Sequence, residues 1–443
     1  MLKRAGPKRA EIPGIPVRIA DARFPSPFLP GLEYSAPARG TWNIVHTGML
    51  IPGAHQIFVC AQGCLRGVVL TAAEMGVSDR FSTVAVREKD VLSGDMEKLI
   101  FDGVSDIIGK LPEKPPAVLV FTSCIHHFIG CDLPLVYRHL RKKFPDIDFA
   151  DCYMNPIMRK SGLNPDQTMR KQLYSLLKPR KLNPKSVSIV GNDFATDKKS
   201  ELYALLAGNG FTVREITGCK TYEEYQQMAE SAFCISYYPA AKAAGDELER
   251  RLGQKHICIP FSFNYDEISE NLKYLCETVS IRTPDFSPGI ARCEAALGKT
   301  AEELGDTPVA VDCTAFPRPL GLARLLLSHG FHVTRVYADS FSSSEHADFD
   351  ALQSLAPDLL LYPVSQPAMR ILPRSPAEKT LAVGQKAAYF TGSGYFVNLV
   401  EGGGLYGFSG ICRLAEVMSE AFREPKNARH LIQIKGMGCG CCL

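Results

Sequence analysis

Short, nearly unbroken apolar runs alternate along this chain with longer stretches whose apolar residues recur at helical spacing. Residues 186–216, SVSIVGNDFATDKKSELYALLAGNGFTVREI, read as a β-branched strand, a polar turn, a helix, a glycine stop and a second strand. Residues 308–337 repeat that order, and Leu205, Leu206, Gly210, Phe211 and Val213 find counterparts in Leu325, Leu326, Gly330, Phe331 and Val333. A third copy, HQIFVCAQGCLRGVVLTAAEMGVSDRFSTVAV, starts at His55 and has its glycine stop at Gly76. Further apolar strands close at Cys124, Tyr238 and Val364. Continuous apolar runs between helices are what parallel strands covered on both faces require. The pattern therefore predicts an α/β protein of three doubly wound, Rossmann-like domains, with mainly parallel sheets around a central cleft. An N-terminal extended arm takes residues 1–29, a cluster-binding α/β domain 30–184, a second α/β domain 185–304, and a third 305–443 with a Cys-rich tail. The stretches 178–185 and 298–307 read as joints. In such sheets ligands sit outside the carboxyl ends of the strands, so the turns there are where chemistry is expected.

Composition narrows the class. The chain has 443 residues, 46% of them hydrophobic, enough for two or three cores. A net charge of +3, with acids and bases interleaved, argues against a nucleic-acid partner. The first residues carry Lys3, Arg4, Lys8 and Arg9 and then break into prolines, without an apolar stretch of signal-peptide length. No run is long enough to span a bilayer, and a cytoplasmic protein with no membrane partner is expected. Fifteen cysteines, an odd number scattered through such a chain, do not read as a disulfide framework. Cys258, Cys276 and Cys293 stand in apolar surroundings and read as small core residues.

The remaining cysteines cluster beside glycines in turns. In VCAQGCLRG, residues 59–67, a strand ends at Cys60, a short turn with Gly63 follows, and Cys64 opens a helix whose positive end favours a thiolate. In FTSCIHHFIGCD, residues 121–132, Cys124 stands at the end of another apolar strand. Three soft ligands, Cys60, Cys64 and Cys124, thus converge on one sheet edge, which suits iron-sulfur chemistry or zinc. Cys131 lies further into the second turn and is a candidate fourth ligand, with a core or cap role as the alternative. A buried pair of thiols is the plain alternative for Cys60 and Cys64. His126 and His127 keep a Cys/His zinc site open, although the close CxxC knuckles of zinc motifs are absent. The histidines also suit solvated turn positions or hydrogen bonds to cluster sulfur.

At these residues the chain resembles the nitrogenase component 1 family. GTWNIVHTGMLIPGAHQIFVCAQGCLRG is similar to the family segment that ends in a cluster-binding Gly-Cys, so Cys64 matches that ligand. VREKDVLSGDMEKLIFDGVSDII resembles the stretch that follows, and FTSCIHHFIGCD the next ligand turn, with Cys124 at the ligand position. The resemblance runs from about residue 34 to 418. Where the family often has its first ligand cysteine, before a segment like SAPARG, this chain has Ser35. Cys60, a better iron ligand than the Ser35 oxygen, is preferred as its replacement. Where nitrogenase proper holds its molybdenum-iron cofactor with a cysteine and a histidine, the corresponding strand end reads FCISYYPAAK, and Tyr237 or Tyr238 fits the cysteine's register better than Cys234. EGGGLYGFSGI resembles the late glycine-aromatic segment, with Val397 and Asn398 where the family has its histidine. Dinitrogen reduction with that cofactor is therefore not expected.

The resemblance implies an oxidoreductase subunit with an iron-sulfur cluster, of the 4Fe-4S kind or a larger P-cluster-like one. It also implies an ATP-hydrolysing, iron-protein-like partner that supplies electrons. A P-loop of the GxxxxGKS type is absent from this chain, consistent with ATP use by that partner. A homodimer, or a heterodimer with a related chain, is expected to bring the cluster turns near the shared face. The alternative is a scaffold or carrier on which a metallocluster is built, favoured by the tail GMGCGCCL with Cys439, Cys441 and Cys442.

Overall fold

The computed structural model describes residues 14–34, 36, 44–154, 162–372 and 379–433; Ser35, Trp42 and the tail cysteines Cys439, Cys441 and Cys442 lie outside them. Fourteen strands in this range form three sheets. The first strand, β1 (Val17–Arg18), is an edge strand of the last sheet. The first sheet holds β2 (His55–Ala61), β3 (Phe81–Val86), β4 (Ala117–Ser123) and β5 (Asp148–Met154), all parallel, in the order β3-β2-β4-β5. The second repeats that winding, β7-β6-β8-β9, with β6 (Asn183–Ile189), β7 (Thr212–Glu215), β8 (Ser231–Ser236) and β9 (Lys255–Cys258). The third is built from β10 (Val309–Asp312), β11 (Val333–Tyr337), β12 (Leu360–Tyr362), β13 (Leu381–Val383) and β14 (Phe396–Val397), ordered β12-β11-β10-β13-β14. Only β1 runs antiparallel, pairing Val17 with Leu361.

The mainly parallel α/β architecture read from the apolar runs is the one observed. Residues 41–195 and 205–260 make one compact unit; residues 196–204 and 261–443, with the chain up to residue 40, make another. The stretch 298–307 read as a joint is helical through Leu304, in the helix Ser287–Leu304.

The continuity of the apolar runs has a direct cause in β2 and β4. Alternate residues point to opposite faces, and both faces are covered. Phe58, Cys60 and Phe121 enter one core, and Ile57, Val59, Val118 and Val120 enter another. The rings of Phe58 and Phe121 stack with centroids 4.1 Å apart. The core that holds them also contains Val190, Tyr225, Cys234 and Leu248, so the first two sheets share one apolar core. Each fully buried aliphatic or aromatic side chain there contributes roughly 1.5–3 kcal/mol.

Winding of this kind fixes where a ligand can enter. The connection from β2 goes outward to β3, and the chain then returns across β2 to add β4 on its other side. The carboxyl ends of β2 and β4 therefore splay apart at a topological switch point, as do those of β6 and β8, and of β10 and β13.

Candidate metal centre

The first switch point carries thiols. Cys60 is the penultimate residue of β2 and fully buried; Cys64 is the third residue of the helix Gln62–Glu74 and exposed. Cys124 begins the short helix Cys124–Phe128 directly after β4 and is half-buried. Val59 pairs with Thr122, so Cys60 and Cys124 follow one and two residues beyond a shared rung of the ladder. Both strands pass into helices without an intervening loop. Gly63 therefore lies in a first helical turn, not in a separate turn, and a Cβ there would meet nothing within 4 Å.

Burial dominates the behaviour of Cys60. The Cys60 thiol is pushed up to about 12, chiefly by burial and then by Cys64 and Cys124, which act on it as like charges. Among the described residues no three His, Cys, Asp or Glu side chains gather closely enough to hold a single ion. An iron-sulfur cluster takes its ligands at separate corners, and so needs thiols that share a surface, not thiols that meet at a point.

His126, buried beside Cys124, adds a further feature. Its Nδ1 lies 3.1 Å from the Ser123 backbone N and 3.2 Å from the Ser123 carbonyl oxygen, and burial lowers its pKa. Its Nε2 is buried and has no partner. An orphaned buried polar atom of this kind is costly, about 1–3 kcal/mol. His127, by contrast, is exposed.

Cys131 is placed elsewhere. Its thiol hydrogen-bonds the Glu97 carboxylate and is pushed up to about 12, first by burial and then by Glu97. The same carboxylate accepts from the Asp132 backbone N–H at 2.7 Å. Cys131 also packs at the edge of the opposite apolar core.

The other two switch points are closed by the protein's own charges. Beyond β6 and β8, Arg170 is completely buried and donates to Asp193 (2.8 Å), Asp166 (3.0 Å) and the Gly191 carbonyl, with its guanidinium 4.5 Å from the Tyr238 ring centre. Gly191 has φ +81°, and a Cβ there would stand 2.2 Å from that of Ala241, so only glycine passes this corner. Between β10 and β13, the buried Asp312 accepts from the backbone N–H groups of Thr314 (2.7 Å), Ala315 (3.0 Å) and Ala387 (2.7 Å). Sequence reading had not found Arg170, because its carboxylate partners come from two separate segments and no motif links them.

These observations converge with comparisons to known proteins. The profile of the nitrogenase component 1 type oxidoreductases matches residues 45–366. Two nitrogenase Cp1 structures, determined at pH 6.5 and pH 5, are similar in fold at 14% sequence identity. The first has a TM-score of 0.65 and covers 89% of this chain and 94% of its own; the second has 0.56, with 91% of each. No curated protein matches the sequence significantly. With a profile matched over most of its length and three sheets in the corresponding fold, the chain belongs to the nitrogenase component 1 type oxidoreductase family.

Proposed function

We propose that the chain is a reductase subunit in which Cys60, Cys64 and Cys124 hold an iron-sulfur cluster, either 4Fe-4S or a larger P-cluster-like one. The cluster receives electrons from an ATP-hydrolysing, iron-protein-like partner and passes them to a substrate that remains to be identified. The observation that supports this reading is the placement of Cys60, Cys64 and Cys124 at the adjacent carboxyl ends of β2 and β4, where the first sheet has its switch point.

When bound, the cluster supplies one-electron transfer. The chain's own residues set its surroundings. Cys60 must surrender its proton on ligation, because the thiolate is the ligand, so loading releases protons and weakens as the pH falls. The buried His126 Nε2, two residues along from Cys124, would serve as a donor to cluster sulfur when protonated, and such a bond would raise the reduction potential.

A fourth ligand would come from Cys131, from Ser35 or from the same turns of a second subunit covering this face. Exposed apolar side chains on the same two helical segments support such a cover: Val69 and Leu70 beyond Cys64, and Phe128 and Ile129 beyond Cys124. Gly63 and Gly67 leave the surface beside Cys64 bare. A homodimer or a heterodimer with a related chain would bury this patch together with the cluster.

Anaerobic purification followed by iron and sulfide analysis and electron paramagnetic resonance tests the cluster. Addition of an iron-protein-like partner, ATP and a low-potential donor tests the transfer. Iron and sulfide that follow the thiols, with partner-dependent reduction, are expected. A cluster that is never reduced by the partner but passes to an acceptor protein would make the chain a scaffold or carrier instead.

A further inference from the structure

We propose that Cys293 and Cys412 are a reversible dithiol–disulfide pair, oxidised by small disulfides such as glutathione disulfide, and independent of the cluster thiols. Both lie in the unit that holds the third sheet, whereas Cys60, Cys64 and Cys124 belong to the other. The two sulfurs stand 3.7 Å apart, although the residues are 119 positions apart in sequence.

The placement is held by helix packing. Cys293 and Thr300 occupy one face of the helix Ser287–Leu304, seven residues apart; Cys412 and Ser419 do the same on the helix Gly407–Arg423. Thr300 Oγ lies 3.1 Å from Ser419 Oγ, so the thiol pair and the hydroxyl pair form two rungs that keep the helices parallel and in register. Thr300 also donates to the Ala415 carbonyl at 3.2 Å. With register locked in this way, the sulfurs are held 3.7 Å apart, and a bond would bring them to about 2.05 Å.

The two thiols are not equivalent. Cys293 is fully buried, and its proton has two acceptors in reach, the Phe408 carbonyl at 3.1 Å and the Cys412 sulfur. Cys412 is partly exposed and held below its ordinary pKa, first by the hydrogen bond from Cys293 and, against its burial, by the Arg292 guanidinium. Cys412 is therefore the thiolate that attacks. Its sulfur displaces one thiolate from the small disulfide and forms a mixed disulfide. Cys293 then transfers its proton to the departing thiolate and attacks the Cys412 sulfur. One intramolecular disulfide and two small thiols result, with two electrons passed from the protein to the small disulfide.

Peptide mapping of the full chain tests this, because trypsin places Cys293 in residues 293–299 and Cys412 in residues 387–413, each the only cysteine of its peptide. After anaerobic incubation with graded ratios of glutathione disulfide to glutathione, these two peptides are expected to become cross-linked, and dithiothreitol to release them. The oxidised chain should also migrate faster on a non-reducing denaturing gel. Cys293→Ser should stop at a glutathione adduct on Cys412, and Cys412→Ser should leave Cys293 unmodified. A wild-type chain in which Cys412 carries glutathione while Cys293 remains a thiol would overturn the proposal, as would two unreacted peptides after prolonged incubation in glutathione disulfide alone. Since neither thiol serves the cluster, iron content is expected to be the same in both serine variants.

Discussion

Replacing Arg170 with methionine tests whether the second switch point is closed by charge. The side chain is wholly buried, and Asp193, its nearer carboxylate partner, is only 4% exposed. Methionine keeps much of the volume but removes the guanidinium that pairs with Asp193. It also removes the donor to the Gly191 carbonyl and the cation over Tyr238. Breaking a buried pair by removing one partner costs about 3–5 kcal/mol, with the Tyr238 contact included in that range as a smaller part. At about 1.4 kcal/mol per tenfold, the opening equilibrium of this unit should rise roughly a hundred- to a few-thousand-fold. Hydrogen exchange by mass spectrometry, read on peptides covering β6 and β8, measures that opening locally, without requiring the whole chain to unfold in one step. Arg250→Met, at an exposed helix position, is the control and should leave these peptides unchanged. The pairing is isolated by a double-mutant cycle with Asp193→Asn, in which the two changes should be clearly non-additive. Exchange in Arg170→Met within threefold of wild type would refute the reasoning.

Further outcomes follow from single contacts. His55 is buried, and its pKa is lowered to about 4, chiefly by burial and then by Arg80. The folded state therefore prefers the neutral ring: the full contribution, about 3 kcal/mol, is present above pH 6.5 and is lost as the pH falls toward 4. Acid unfolding of His55→Gln should show a correspondingly shallower slope over that window. Gly384→Ala should destabilise the unit built on the third sheet, since φ is +113° and a Cβ would stand 2.3 Å from the Asp312 carboxylate; an unchanged thermal midpoint would count against that closure. Cys131→Ala should retain its iron, because the thiol is engaged by Glu97; loss of the cluster in that variant would show instead that one chain supplies all four ligands.

The sheets were legible in the sequence because parallel strands covered on both faces leave continuous apolar runs, as β2 and β4 do. The placement of Cys60 and Cys124 at strand ends was legible for a related reason: both stand at or just past the last apolar residues of such runs. Other features depend on contacts that no local pattern encodes. The pairing of β1 with β12 rests on two residues, and the closure by Arg170 joins carboxylates 4 residues before it and 23 residues after it. Cys293 read as an ordinary core residue because its partner lies 119 positions away. Cys131 shares a turn with Cys124, and its interaction with Glu97, from a helix distant in sequence, is another contact no local pattern encodes.

The most direct test of the central claim is the iron and acid-labile sulfide content of the anaerobic protein, compared among wild type, Cys60→Ala, Cys64→Ala, Cys124→Ala and Cys258→Ala. Wild type and Cys258→Ala should carry equal iron and sulfide and be brown, while each of the other three loses both. Stoichiometric zinc without sulfide in wild type, or undiminished iron in any of the Cys60, Cys64 or Cys124 variants, would contradict the assignment.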